Sequence, residues 1–196
     1  MLENEETRKV YVSVRNNHFT VKTREGEGIE RTMKSGKKVW EKTFDRMTGK
    51  IVNVKKKATE WEGKKIVSWD VTMTDGEETE VLSLNYGSNE ARCFLSRLPN
   101  IDLDSEVVLN VFPYSGKNGK ERTYITAYQF GRKVDAFYTK ENLPQLKKIM
   151  YKGEERWDDS EQEVIFEKMV LDKFPLMKKE EPEHEDAQSN PDDLPF

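Results

Sequence analysis

Apolar and polar residues alternate with a period of two along most of this chain, and that pattern predicts strands. Val10 to Val14 and His18 to Thr23 read as short strands joined by an Asn16–Asn17 turn. Arg24 to Lys38, rich in Gly, Glu and Lys, reads as a mobile loop. Val39 to Phe44 alternates as a strand, and Lys50 to Lys57 forms another after a turn at Thr48–Gly49. In Ile66 to Thr74, Val67, Trp69, Val71 and Met73 share one face, with Ser68, Asp70 and Thr72 on the other. Asp75–Gly76 signals a tight turn, and Thr79 to Tyr86 returns behind it as a hairpin.

The period then changes. Ala91, Phe94, Leu95 and Leu98 recur at helical spacing behind Ser88, whose hydroxyl suits a helix N-cap, and Pro99–Asn100 stops the run. Val107 to Tyr114 and Arg122 to Phe130 are strands around the Gly-rich stretch Ser115 to Lys120. Val134 to Tyr138 is a short apolar piece, and Glu141 to Met150 and Ser160 to Leu171 read as two helices. The second helix sets Val164, Ile165, Lys168 and Leu171 near a packing face, with Trp157 filling space beside it. From Lys178 onward the pattern vanishes, which predicts a disordered tail.

Between residues 50 and 130 the order is strand, strand, strand, helix, strand, strand. That is the chain order of an OB-fold, a five-stranded barrel with a helix between its third and fourth strands. The expected architecture is mainly β, with extra N-terminal strands and C-terminal helices. It divides into residues 1–38 (strands and a basic loop), 39–138 (the barrel), 139–177 (helices on the barrel or a partner) and 178–196 (tail).

Charge sharpens this picture. The formal net charge is −4, but Glu180 to Phe196 holds seven acidic residues and no Lys or Arg. The rest of the chain therefore has an excess of cations. Arg31 to Lys65 alone has twelve basic and four acidic residues. A basic body attracts polyanions, and salt screens it from a detached acidic end. No apolar run approaches the roughly 18 residues of a membrane span. The polar, acidic N-terminus is unlike a secretory signal. The single Cys93 builds no intramolecular disulfide, and a reducing, cytoplasmic setting is the expectation.

Catalytic constellations are weak. His18 and His184 are the only histidines, too few for a nucleophile–base pair or a His/Cys metal cluster. Gly116 to Lys120 has the wrong spacing for a phosphate loop, and Glu121 stands where Ser or Thr belongs. Neither enzyme chemistry nor a cofactor or metal is expected. Aromatic and basic residues say more, because a single strand is held by cations along its phosphates and flat rings against its bases. Burying Val107, Leu109 and Val111 turns Phe112 and Tyr114 outward; burying Ile125 and Ala127 does the same for Tyr124, Tyr128 and Phe130. Trp61, in a polar loop among Lys55, Lys56, Lys57, Lys64 and Lys65, either packs or stacks on a ligand. Trp40 and Phe44 alternate with Lys42 just before Arg46 and either extend the groove or enter the core. Lys117, Lys120 and Arg122 complete the cationic set at the hairpin. Trp69, Leu82, Leu84, Phe94 and Tyr86 are assigned to the core.

The chain ends in Asp192-Asp193-Leu194-Pro195-Phe196 behind an acidic linker. This ending closely resembles the C-terminal tip of bacterial and bacteriophage single-stranded DNA-binding proteins, in a divergent phage-type form. The resemblance covers five residues, and the body does not carry the bacterial family's pattern. It implies a protein that holds single-stranded DNA without strong sequence preference during replication, recombination and repair, in the host cytoplasm if phage-encoded. It also implies that the tip docks on partner proteins of those processes. Phe196 offers a ring and a terminal carboxylate, Pro195 limits the conformations lost on binding, and Asp192 and Asp193 face a basic rim. The competing readings are an RNA-binding or accessory OB protein, a metal-dependent nuclease built on carboxylates, and a barrel that binds peptides. Oligomeric state is left open by the residues.

Overall fold

The computed structural model describes residues 9–33, 35–61, 63–115, 119, 121–151 and 153–175. Among them a ten-stranded sheet dominates: β1 (Lys9–Arg15), β2 (His18–Thr23), β3 (Ile29–Thr32), β4 (Lys38–Phe44), β5 (Arg46–Trp61), β6 (Lys64–Thr74), β7 (Thr79–Asn85), β8 (Val107–Ser115), β9 (Glu121–Gln129) and β10 (Arg132–Lys133). Their spatial order is β10-β9-β8-β5-β6-β7-β1-β2-β4-β3. Helix α1 (Asn89–Leu95) and a 3-10 turn at Leu98–Asn100 lie between β7 and β8.

The long strand β5 organises the sheet. Arg46–Gly49 pair with β8, whereas Lys50–Trp61 pair with β6. One residue, Val52, is extra in the ladder between Ile51 and Asn53 and points to solvent. Such a bulge adds twist and lets one strand serve two neighbours. A Cβ on Gly49 would lie 2.8 Å from the Thr74 carbonyl oxygen, so only glycine lets the chains pass this closely. Thr48–Gly49 is thus strand interior rather than the expected turn, and β4 runs into β5 through Asp45 alone. The expected loop at residues 24–38 contains β3, which pairs antiparallel with β4. The Asn16–Asn17 turn is as read: both residues have positive φ (47° and 64°), which suits the twist of a two-residue hairpin.

β1 lies parallel to β7, with Val12 opposite Leu82. It occupies the edge of β7 that a five-strand barrel would use for closure. Among the described residues no ladder joins β7 to β9, and no closed barrel forms. Instead the β1–β2 turn reaches the far hairpin: Thr123 Oγ1 in β9 donates to Asn17 Oδ1 at 2.7 Å.

The core is the inner face of these strands beneath α1. Trp69, Val71, Leu82, Leu84, Phe94, Leu109 and Ile125 are all at most 2 % exposed. At about 25 cal/mol per Å² of apolar surface, each contributes on the order of 1.5–3 kcal/mol. Ser88 caps α1 by accepting from the Ala91 amide at 3.1 Å. On the opposite face of β6, Asp70 is buried rather than solvated: it accepts from Ser83 Oγ at 2.9 Å and Ser68 Oγ at 3.2 Å.

The C-terminal part departs most from expectation. In place of a helix over residues 141–150, β11 (Lys147–Tyr151) and β12 (Glu154–Asp158) form a separate hairpin. Pro144 disfavours a helix through this segment, and Ile149-Met150-Tyr151 before Gly153 suits a strand and turn. Trp157 pairs opposite Lys148 on that hairpin and is 62 % exposed, not packed. Helix α2 (Ser160–Lys173) forms as expected but buries the other face. Val164 and Leu171 are exposed, while Glu163, Phe166, Met169 and Val170 are buried.

Polar contacts tie α2 to the sheet. Tyr86 stacks on Trp69 with centroids 5.8 Å apart, and its hydroxyl donates to Glu167 Oε1 at 2.6 Å. Lys56 Nζ reaches the same oxygen at 2.7 Å. The Lys56 and Tyr86 hydrogen bonds hold the Glu167 carboxyl below its usual range. Burial, reinforced by Glu167, pushes the Tyr86 hydroxyl pKa well up. Glu163 is 3 % exposed, and burial raises its pKa although Arg92 opposes the shift from 3.6 Å. Lys173 Nζ donates to the carbonyls of Leu98, Pro99 and Ile101.

Candidate nucleic-acid interface

The β8–β9 hairpin builds the most distinctive surface. Alternation buries Val107, Leu109 and Val111 on β8 and Ile125 and Ala127 on β9. The register then pairs the remaining side chains on the opposite face: Val108 with Tyr128, Asn110 with Thr126, Phe112 with Tyr124 and Tyr114 with Arg122. Phe112 is 37 % and Tyr114 50 % exposed. Tyr124 is half-buried between them. It stacks on Phe112 with centroids 6.1 Å apart and planes 27° apart, and it meets Tyr114 edge-on at 5.1 Å.

Three rings thus gather on an outward surface that no described segment covers. Leaving rings in water costs free energy, which makes this patch the candidate interaction surface. Arg46 on β5 pairs opposite Asn110, one ladder step from Phe112, and Arg122 sits opposite Tyr114. Both arginines are exposed. Tyr128 lies further along, half-buried beside Val108 and Thr48. Phe130 leaves the strand in a turn with φ 51° and is 76 % exposed.

Not every residue singled out from the sequence joins this surface. Lys55, Lys57 and Lys64 are carried on the β5–β6 arm, at the opposite end of β5 from the segment that holds β8. Lys55 pairs with Asp70 and Lys57 with Ser68 on the outer face, whereas Lys65, opposite Glu60, falls on the other. Lys56 is engaged with Glu167 and lies 4.6 Å from the Tyr86 ring centre. Trp61 ends β5 opposite Lys64, so it belongs to a strand end rather than a loop. Trp40 is half-buried beside Lys22, Glu30 and Lys38. Phe44 is 47 % exposed and does not enter the core. Lys117, Lys120 and the tip residues 192–196 lie outside the described residues.

Arg15 on β1 and Lys22 on β2, strands to which the sequence assigned no role, and Arg31 on β3, in a segment expected to be a loop, add cations not singled out from the sequence.

Among the described residues, no group of three or more His, Cys, Asp or Glu stands in metal-holding geometry. Burial also raises the Cys93 pKa, which keeps the thiol protonated and unreactive. No helix among the described residues is long and apolar enough to cross a membrane. No family model, no curated protein and no solved structure matches the chain.

Proposed function

We propose that this protein binds single-stranded DNA, stacking bases on Phe112, Tyr114 and Tyr124 while Arg46 and Arg122 contact phosphates. The observation that carries this reading is the outward cluster of three rings flanked by two arginines. Rings tolerate any base because every base has a π-face, and each stacked base is worth about 1–3 kcal/mol. A duplex hides those faces, so the same surface disfavours paired DNA.

The pairing pattern supports an OB-type reading of β5–β9. In such a module the first strand pairs with the second and fourth, the second with the third and the fourth with the fifth. Here β5 pairs with β6 and β8, β6 with β7, and β8 with β9, with α1 between the third and fourth strands. In this reading the N-terminal hairpin opens the barrel by taking the closing edge of β7. The acidic ending at Leu194-Pro195-Phe196 recruits partner proteins of replication, recombination and repair, in the manner of the tip it resembles. The expected setting is the cytoplasm.

The test is fluorescence anisotropy of end-labelled oligo(dT), oligo(U) and a duplex of equal length, at several salt concentrations, with and without magnesium. The reading expects tight, salt-sensitive binding of oligo(dT), weaker binding of RNA, little binding of duplex, and intact strands after long incubation. Equal affinity for duplex would reject base stacking. Strand cleavage with magnesium would turn the assignment toward a nuclease.

A further inference from the structure

Phe130 stands in a backbone conformation that its residue type does not favour. β9 passes into β10 through Phe130 and Gly131 alone, with Gln129 opposite Arg132. Both turn residues have positive φ, 51° and 71°. A two-residue turn of this kind favours Asn-Gly, because Asn and Gly enter the left-handed region at little cost. The Asn16–Asn17 turn obeys this rule, and Phe130 breaks it. Burial of the ring would offset the strain, but Phe130 is 76 % exposed, more than any other large apolar residue among those described. Neither local preference nor packing therefore places a phenylalanine here.

The turn is held firmly where it stands. The buried Gln129 side chain accepts from the Asp102 amide at 3.0 Å and donates to the Asp102 and Ser105 carbonyls. On the return strand the Val134 amide donates to the Ala127 carbonyl at 2.8 Å. A ring presented on so rigid a support loses little freedom when it meets a ligand. Phe130 lines an open cleft of about 510 Å³ with Asn100, Asp102, Arg132, Lys133 and Asp135. That volume lies in the range of small-ligand sites. Two cations and two carboxylates nearly cancel there, so net charge does not choose the occupant. Asp102 is moreover engaged in its own loop, accepting from the Asp104 amide and the Ser105 hydroxyl. What remains is the exposed ring, which suits a flat face such as a base.

Position ties the cleft to the three-ring surface. Tyr124, Tyr128 and Phe130 follow one another along β9, and six residues of strand span about 20 Å. Tyr128 pairs opposite Val108 on the outward face, and Lys133 pairs opposite Tyr128. Cross-strand neighbours share a face, so Lys133 stands beyond the rings on the same side. A nucleic-acid strand running along β9 from Tyr124 passes Tyr128 and Lys133 before it reaches the cleft.

We propose that Phe130 is a second base-stacking station for the same single strand, with Lys133 contacting a phosphate on the way to it. This rests on the single-strand reading of the β8–β9 rings. It sets the course of the bound strand, along β9 rather than across the sheet.

The experiment uses the full chain and oligo(dT) of about sixteen nucleotides, the upper site size of one OB-type module. Anisotropy at low salt and thermal melts compare wild type with Phe130→Asn, Phe130→Trp, Tyr124→Ala and the Phe130→Asn/Tyr124→Ala double variant. Asn suits the turn, so Phe130→Asn should raise the melting temperature by roughly 2–4 °C. The same variant should bind oligo(dT) at least fivefold more weakly, for about one lost stacked base. Stability and affinity thus move in opposite directions, which a merely structural residue would not show. Phe130→Trp keeps a flat ring and should bind about as tightly as wild type. The two rings lie far apart, so the fold-losses of Phe130→Asn and Tyr124→Ala should multiply in the double variant. Unchanged affinity in Phe130→Asn, with Tyr124→Ala weakened, would overturn the station alone. A lower melting temperature for Phe130→Asn would also overturn it, because the fold would then be what holds the ring. So would a double variant no weaker than Tyr124→Ala, since Phe130 would then act through the hairpin. A wild type that does not bind oligo(dT) would overturn the single-strand reading and this proposal together.

Discussion

Replacing Tyr124 by alanine tests the ring cluster at its hub. Tyr124 makes both ring contacts, the stack on Phe112 and the edge contact with Tyr114. Each such pair is worth about 0.5–1.5 kcal/mol beyond area burial. Losing two therefore costs about 1–3 kcal/mol of stability, and roughly 2–4 °C of melting temperature per kcal/mol in a chain of this size. The hairpin should survive, because its inner face, Val111 and Ile125 included, is untouched. On the ligand side, one stacked base is lost, about 1–3 kcal/mol or roughly 5- to 150-fold in affinity. The assay is anisotropy with oligo(dT) at 25 °C and low salt, with a thermal melt to show that the variant is folded there. Trp157→Ala is the control, since it removes an exposed ring from the separate β11–β12 hairpin. A Tyr124→Ala loss no larger than that of the control would refute stacking on this surface.

Three further outcomes follow from the contacts. Tyr86→Phe removes a hydrogen bond to a charged carboxylate; because Glu167 is 35 % exposed, the discounted cost is about 1–2 kcal/mol. The melting temperature should drop by roughly 2–8 °C without changing oligo(dT) affinity, and an unshifted melt would mean the contact holds nothing. Glu163 has a raised pKa in the folded chain, so folding favours its protonated form and stability is gained as pH falls through that value. Melts from pH 8 to pH 5 should show this gain in wild type and less of it in Glu163→Gln, and parallel profiles would reject the assignment. Deleting residues 180–196 removes seven acidic groups, and if these compete with DNA for cationic surfaces, affinity at low salt should rise. Unchanged affinity would show that the tail does not compete.

Local pattern made much of this legible. The outward direction of Phe112, Tyr114 and Tyr124 follows from alternation once Val111 and Ile125 are inside, and the Asn16–Asn17 and Asp75–Gly76 turns follow from residue chemistry. What the sequence hid was non-local or polar. The parallel pairing of β1 with β7 joins segments some seventy residues apart, and no local preference announces it. β3 carries Glu30 and Arg31, whose ion pairs with Lys38 and Glu41 replace the apolar signal of a strand. The packing face of α2 was misread because it begins with Glu163, a charged residue buried against Arg92, and continues through Phe166 and Val170. Val164 and Leu171, apolar and evenly spaced, pointed the wrong way.

The central claim is that bases of an unpaired strand lie on the β8–β9 rings, and photochemical cross-linking reads this directly. Oligo(dT) carrying 5-iododeoxyuridine is irradiated in complex with the full chain, and the adducts are mapped by mass spectrometry. The account predicts adducts at Phe112, Tyr114 or Tyr124, lost when unlabelled oligo(dT) competes. Adducts confined to other exposed rings such as Trp157 and Phe137, or none despite binding, would contradict it.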